Sequence, residues 1–329
     1  MKKLRYLYIT LSIFGLLFLV TACGGDKEES KSDQDDQQSA EESGDENAGG
    51  ERTLTDAMGH EVTIPEEPKR VIASYLEDYL VALDITPAAQ WSVQDGASVQ
   101  GYLQDSLKDV PTIPHDLPLE TVASFKPDLL LMDSAGMVEG NKYEQYSRIA
   151  PTYVVGKAEN NDWREELKTI GKVFGEEDKA SKVLEDYEQK VDETKKDLKD
   201  AVGDESIAAI WLVGNTFYVV NDQLSSGDVL YNDLEVPEPN VVKEISGSSK
   251  SNWSEISLEK LAQLDADHIF LINSDGKEAK MLQDDIWQNI PAVKKGNVYE
   301  YAAADSSWLY TGPIANTKML EDINESLIK

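Results

Sequence analysis

The hydrophobic pattern of this chain states one phrase twice. Leu119–Met132 reads LETVASFKPDLLLM, and LEKLAQLDADHIFLI begins 139 residues further on, at Leu258. Each has Leu-Glu, an Ala three residues after the Glu, an Asp five further on, and then an unbroken apolar run. Leu119, Val122 and Ala123 fall on one helical face, whereas Leu129–Met132 is too continuous for a half-exposed strand. The spacing therefore predicts, in both places, a short helix followed by a fully buried strand.

The flanking pattern agrees. TLTDAMGHEVTIP predicts a hairpin turning at Met58-Gly59, and KRVIASY a short buried strand. A helix over Glu77–Ile85, stopped by Pro87, precedes a strand in AAQWSV, and PTYVV follows the first repeat as another. After Gly203 the alternation resumes with IAAIWLV, TFYVV, a helix over Val229–Leu234, the second repeat and NVYEYA. LDITP and LEVP are a lesser echo of the same duplication. Strands alternating with helices predict parallel α/β sheets.

Between the two halves the rhythm changes. Asp162–Asp200 is rich in Glu and Lys, with helix-spaced Val183, Leu184, Tyr187, Val191 and Leu198. Gly175 splits it into two helices, the second about 20 residues long and roughly 30 Å in span. The expected fold is α/β: two similar lobes with central, mostly parallel sheets, joined by one long helix. The expected boundaries are 52–175 for the first lobe, 176–202 for the interlobe helix and 203–329 for the second lobe.

The first 51 residues belong to neither lobe. Lys2, Lys3 and Arg5 precede an apolar run, Leu11–Val20, too short to span a bilayer, and VTAC closes it. Residues 1–22 thus read as a secretory signal. Small residues before Cys23, the chain's one cysteine, resemble a bacterial lipobox, in which that thiol is lipidated. Residues 24–51 carry 11 acidic and 2 basic residues and no aromatic, so residues 23–51 read as a lipidated cysteine and a disordered acidic tether. Of the net charge of −31, residues 52–329 carry −25, which argues against nucleic-acid binding.

Lipobox, acidic tether and two helix-bridged lobes together resemble the substrate-binding proteins of ABC importers for iron siderophores and cobalamin. DAMGHEVTIPEEPKRVIA resembles that family's N-terminal hairpin and first strand, LETVASFKPDLLLM its helix-strand segment, and IWQNIPAVKKGNVYEY a late second-lobe segment. The resemblance implies a monomeric receptor, not an enzyme, held on the outer face of the cytoplasmic membrane by lipid alone, as in Gram-positive-type bacteria. Its ligand would be an Fe(III)-siderophore complex with no resident cofactor or protein-held metal. Its partner would be a permease of two membrane subunits or halves with a cytoplasmic ATPase. The sequence has no GxSxG, HExxH, Walker loop or Cys/His cluster.

Cleft positions in such folds lie in loops after strands. The candidates are Tyr75, Trp91 and His115 in the first lobe, and Tyr218, Ser226, Trp308 and Tyr310 in the second. Trp308 leads, because Ser306, Ser307, Thr311 and Gly312 give its surroundings a loop-like composition. Glu120 and Glu259 hold the same place in the two repeats, and the resemblance implies that they dock onto the permease. Where related hydroxamate receptors carry an Arg, this chain has Ser225-Ser226, and none of its five arginines follows Arg164. Triply anionic catecholates need strong cationic anchors, so a ferric hydroxamate of low net charge fits better. Ferric citrate-type carboxylates, cobalamin and haem, with His115 or Met137 as iron ligand, are the alternatives.

Overall fold

The computed structural model describes residues 50–158 and 160–328. The signal, Cys23 and nearly all of the tether lie outside the described residues.

The chain opens on an antiparallel hairpin, β1 (Arg52–Thr55) and β2 (Glu61–Ile64). The first lobe is built on β3 (Val71–Ala73), β4 (Gln90–Ser92), β5 (Thr112–Pro114), β6 (Leu129–Ser134) and β7 (Thr152–Gly156). β6 lies between β3 and β7 and is parallel to both. The parallel pair β4–β5 joins beside β3 through a bridge from Ile72 to Ala89.

The second lobe has β8 (Ile207–Val213), β9 (Thr216–Val220), β10 (Trp253–Glu255), β11 (His268–Asn273) and β12 (Val298–Ala302), in the order β10-β9-β8-β11-β12. β11 is parallel to β8 and β12, while β9 and β10 form an antiparallel edge. The repeated phrase is thus a structural repeat. Helix Leu119–Ser124 leads into β6, helix Leu258–Leu261 leads into β11, and each strand lies between two parallel neighbours.

The continuous apolar runs follow from burial on both faces. In β6, Leu130 and Met132 pack into an outer core, while Leu129 and Leu131 turn into a core shared by the whole molecule. In β11, Ile269 and Leu271 face outward in the same way, and Phe270 and Ile272 inward. The shared core also receives the long helix Glu177–Val202, which buries Ala180, Leu184, Tyr187, Val191, Thr194 and Leu198. Its 26 residues exceed the length that its apolar stripe predicts, because Glu, Lys and Asp extend it as good or tolerated helix residues beyond the stripe. Gly175 ends the preceding helix, Trp163–Phe174, in a left-handed cap at φ 70°.

Two smaller expectations differ. The helix after Leu76 ends at Ala82 rather than Ile85, since Asp84 takes a left-handed φ of 58° before the chain turns towards Pro87. The second-lobe segment around Val229 is a π-helical turn, Asp228–Asp233, carrying acidic side chains towards Arg164.

Candidate functional site

A cavity of about 330 Å³ lies between the lobes. Tyr75, Tyr79, Asp133 and the Asn160–Trp163 loop line it from the first lobe, Gln223–Ser225, Asp228 and Tyr310 from the second. Its volume falls at the lower end of the roughly 300–1,000 Å³ usual for small-molecule sites.

Strand ends place these groups. Tyr75 follows β3 with φ 62°, a left-handed backbone uncommon for a bulky residue, and the residue is 39% exposed. Ser225, after β9, is also left-handed at φ 53°. Each lobe therefore presents one strained loop residue to the cavity, the kind of outlier that surrounding packing must hold in place.

Tyr75 anchors an aromatic group. Its ring lies edge-on to Trp91 at 4.8 Å and tilted to Tyr310 at 6.0 Å, and Tyr310 lies 5.5 Å from Tyr102. The Trp91 indole N–H donates to the His115 carbonyl at 3.0 Å, and the two rings meet at 6.1 Å. Tyr75, Trp91, His115 and Tyr310 are thus brought together, but only Tyr75 and Tyr310 line the cavity: Trp91 backs Tyr75, and His115 faces solvent beside it.

Behind the aromatic wall lie buried acids. Glu77 accepts the Trp91 backbone N–H at 2.6 Å, and burial pushes its carboxyl up to about 8. Asp78 is raised to about 6 by burial, against the pull of hydrogen bonds from Ile314, Tyr102 and Ala315. On the cavity wall Glu166 accepts from the Tyr79 hydroxyl at 2.6 Å and from the Asn161 amide at 3.0 Å. Burial raises its pKa too.

Three sequence candidates lie elsewhere. Trp308 is fully buried, stacked on Phe270 at 4.4 Å, and its indole N–H donates to Asp322 at 2.8 Å. It is core, not cleft wall. The serines beside it are buried as well, so their polarity did not signal exposure. Ser226 is also fully buried, and it is its neighbour Ser225 that lines the cavity. Tyr218 lies outside the cavity lining, packed 5.4 Å from Trp211 on the face of β9 opposite Phe217 and Val219. Glu120 and Glu259 are exposed, each in the first turn of its helix.

The sequence reading missed Tyr79, Trp163, Asp133, Glu166 and Asp228. The loop after β7, Asn160-Asn161-Asp162-Trp163, carried a usable signal: Asp162 caps the next helix by accepting from the backbone of Arg164 and Glu165. A capped helix start after a strand is a cleft position by the same rule that selected Tyr75.

The fold and the cleft define a two-lobed, helix-bridged binding protein. A family model described as periplasmic binding protein matches residues 76–304. The iron(3+)-hydroxamate-binding protein FhuD of Bacillus subtilis (strain 168) is 31% identical over 334 residues, covering 100% of this chain and 98% of the relative. Among solved structures, an FhuD fold-family component of a Fep/Fec-like ferrichrome ABC transporter from Bacillus subtilis superposes with TM-score 0.71 at 30% identity, covering 84% of this chain and 100% of that one. FhuD2 from Staphylococcus aureus with bound ferrioxamine B gives TM-score 0.68 at 26% identity, covering 79% and 98%.

The chain belongs to the periplasmic binding protein family. The sequence-based resemblance to substrate-binding proteins of siderophore importers is borne out, and this is a transport-binding family rather than an enzyme family.

Proposed function

We propose that this protein is an extracellular receptor that binds a ferric siderophore of the hydroxamate type and hands it to an ABC permease, driven by a cytoplasmic ATPase. The observation that carries the reading is the interlobe cavity, walled by tyrosines and lined by no lysine, arginine or histidine among the described residues. A ferric trihydroxamate has a filled iron coordination shell and little charge, so it needs apolar walls and a few polar anchors rather than metal ligands. The relative named for iron(3+)-hydroxamate binding and the FhuD2 structure holding ferrioxamine B support the same class. Anionic carboxylate complexes fit an acidic wall poorly. Among the described residues no methionine lines the cavity, and Met137 packs against the outer core of the first lobe, which disfavours iron ligation to haem. We assign lipidation to Cys23, which would tether the body to the outer face of the membrane, and permease docking to Glu120 and Glu259.

Titration of tryptophan emission with ferric trihydroxamates, ferric citrate, haem and cobalamin tests the ligand class. A trihydroxamate should bind with micromolar or tighter affinity, about −8 kcal/mol or stronger. Tyr75→Ala should weaken binding by ~1–3 kcal/mol, as removal of an aromatic contact does. Binding of haem or cobalamin alone would overturn the reading.

A further inference from the structure

The cavity wall is unusual in its sign. Asp133, Asp162, Glu166 and Asp228 all line it. Arg164 stands next to it but is engaged. Its guanidinium holds Asp233 at 2.6 Å, reaches Asp228 only at 3.7 Å, and stacks over the Trp163 ring at 4.5 Å. Asp162 serves the helix cap described above, and Asp228 accepts from the Asn232 amide at 2.8 Å. Glu166 accepts from Tyr79 and Asn161 as described above, and burial pushes its carboxyl up.

Two further polar groups of the cavity lining, one on each lobe, await a partner. Trp163 is 3% exposed, and its indole N–H has no acceptor among the described residues. The side-chain oxygen of Asn252, buried on the opposite lobe, has no donor among them either. The unmet acceptor on Asn252 would take an N–H donor of a ligand, and the unmet Trp163 N–H would donate to one of its carbonyl oxygens, since buried polar groups are otherwise nearly always paired.

We propose that the acidic wall is a subsite for a protonated amine, and that the protein selects ferric hydroxamates carrying a terminal ammonium group over neutral or anionic ones. This rests on the hydroxamate reading and narrows it. An ammonium has three donors and no acceptor, so it pairs with carboxylate and amide oxygens and has no use for a cationic anchor. Asp228 and Asn252 supply such oxygens from the second lobe, and Asp133 and Glu166 from the first. A cation bridging them would draw the lobes onto the ligand. A carboxylate-bearing complex would meet like charge at the same place, which costs rather than contributes affinity.

The test uses one iron core with three tails. Ferrioxamine B ends in a primary amine. Acetylating that amine gives a neutral complex, and succinylating it an anionic one. Their dissociation constants are measured with the whole protein by titration calorimetry. The amine form should bind about tenfold or more tighter than the acetylated form, corresponding to about 1.4 kcal/mol, with the succinylated form weakest. Asp228→Asn, and separately Asp133→Asn, should shrink the amine-to-acetyl ratio towards one. Equal affinities for all three, or the reverse order, would overturn the ammonium subsite and leave the hydroxamate reading standing. If none of the three binds while a non-hydroxamate complex does, the hydroxamate reading fails and the subsite with it.

Discussion

Asp78, on the first lobe's opening helix, caps a helix of the second lobe: its two carboxylate oxygens accept the backbone N–H groups of Ile314 and Ala315, each at 2.9 Å. These are first-turn donors of the helix Pro313–Ile323, which have no partner within their own helix. The Tyr102 hydroxyl also donates to Asp78, at 2.8 Å. Gly312 makes the approach possible. Its φ is 150°, and a Cβ there would stand 2.6 Å from the Asp78 carboxyl carbon. The two lobes are therefore tied by a buried cap beside the interlobe cavity.

Asp78→Ala should leave these donors unmet and lower stability by on the order of 3 kcal/mol. Gly312→Ala should destabilise for a different reason, the steric clash with Asp78. Denaturant unfolding of both variants checks this, and a midpoint unchanged by Asp78→Ala would remove the cap from the account of lobe coupling.

Glu77 sets a pH dependence. In the folded protein its carboxyl keeps a proton up to about pH 8, whereas an ordinary glutamate releases it near 4.5. Between those values the native state binds more protons than the unfolded state, so this group's contribution to stability falls as pH rises through the window. Asp78 adds the same sign between 3.8 and about 6. Glu77→Gln keeps an oxygen for the Trp91 N–H without a charge to bury. It should match the wild type near pH 5 and exceed it by ~1–3 kcal/mol above pH 8, read as melting temperature across pH. A gap that stays constant with pH would contradict the assignment.

Trp308→Ala should cost ~3–5 kcal/mol of stability, the usual scale for emptying a buried aromatic site. It also strips Asp322 of its indole donor. At temperatures where the variant is folded, ligand affinity should be close to wild type. A large affinity loss with unchanged stability would return Trp308 to the cleft.

Much of this was legible from residue order. The duplicated phrase gives the two central strands, because double-faced burial forces an unbroken apolar run. Tyr75 and Tyr310 were legible as cavity-lining positions because they lie in loops after strands, whereas Trp91 lies within β4 and outside the lining. The acidic wall was not. Glu166 sits in a helix whose Glu and Lys content reads as a solvated face, yet its own turn faces Tyr79 and the cavity. Trp308 misled for the opposite reason. Its serine neighbours suggest a loop in water, whereas Ser306 turns its hydroxyl back to the Trp308 N–H at 3.1 Å inside the protein.

Cys23→Ala should abolish lipidation, since the thioether forms on that sulfur. The sequence around it offers no basic patch to hold an anionic membrane instead. Fractionation should find precursor or shed protein, and full membrane retention after signal removal would contradict the anchor.

Glu120 and Glu259 allow the docking proposal to be separated from ligand binding. Each is exposed in the first turn of the helix that leads into the middle parallel strand of its lobe. A glutamate there is favoured by the helix dipole, by about 0.3–1 kcal/mol. That alone would give a small stability loss on substitution and no transport phenotype. The duplication supplies the other reading: two like lobes offer one carboxylate each to a permease with two like halves. Exposed charges of this kind govern encounter and its salt dependence more than internal affinity. Glu120→Ala and Glu259→Ala should each reduce siderophore-dependent iron uptake by cells, and the double variant should nearly abolish it. The purified double variant should bind the ferric complex within about twofold of wild type, since neither residue lines the cavity. Normal uptake by the double variant would reduce both residues to helix-dipole partners, and lost ligand binding in a folded double variant would place them in the wrong machinery.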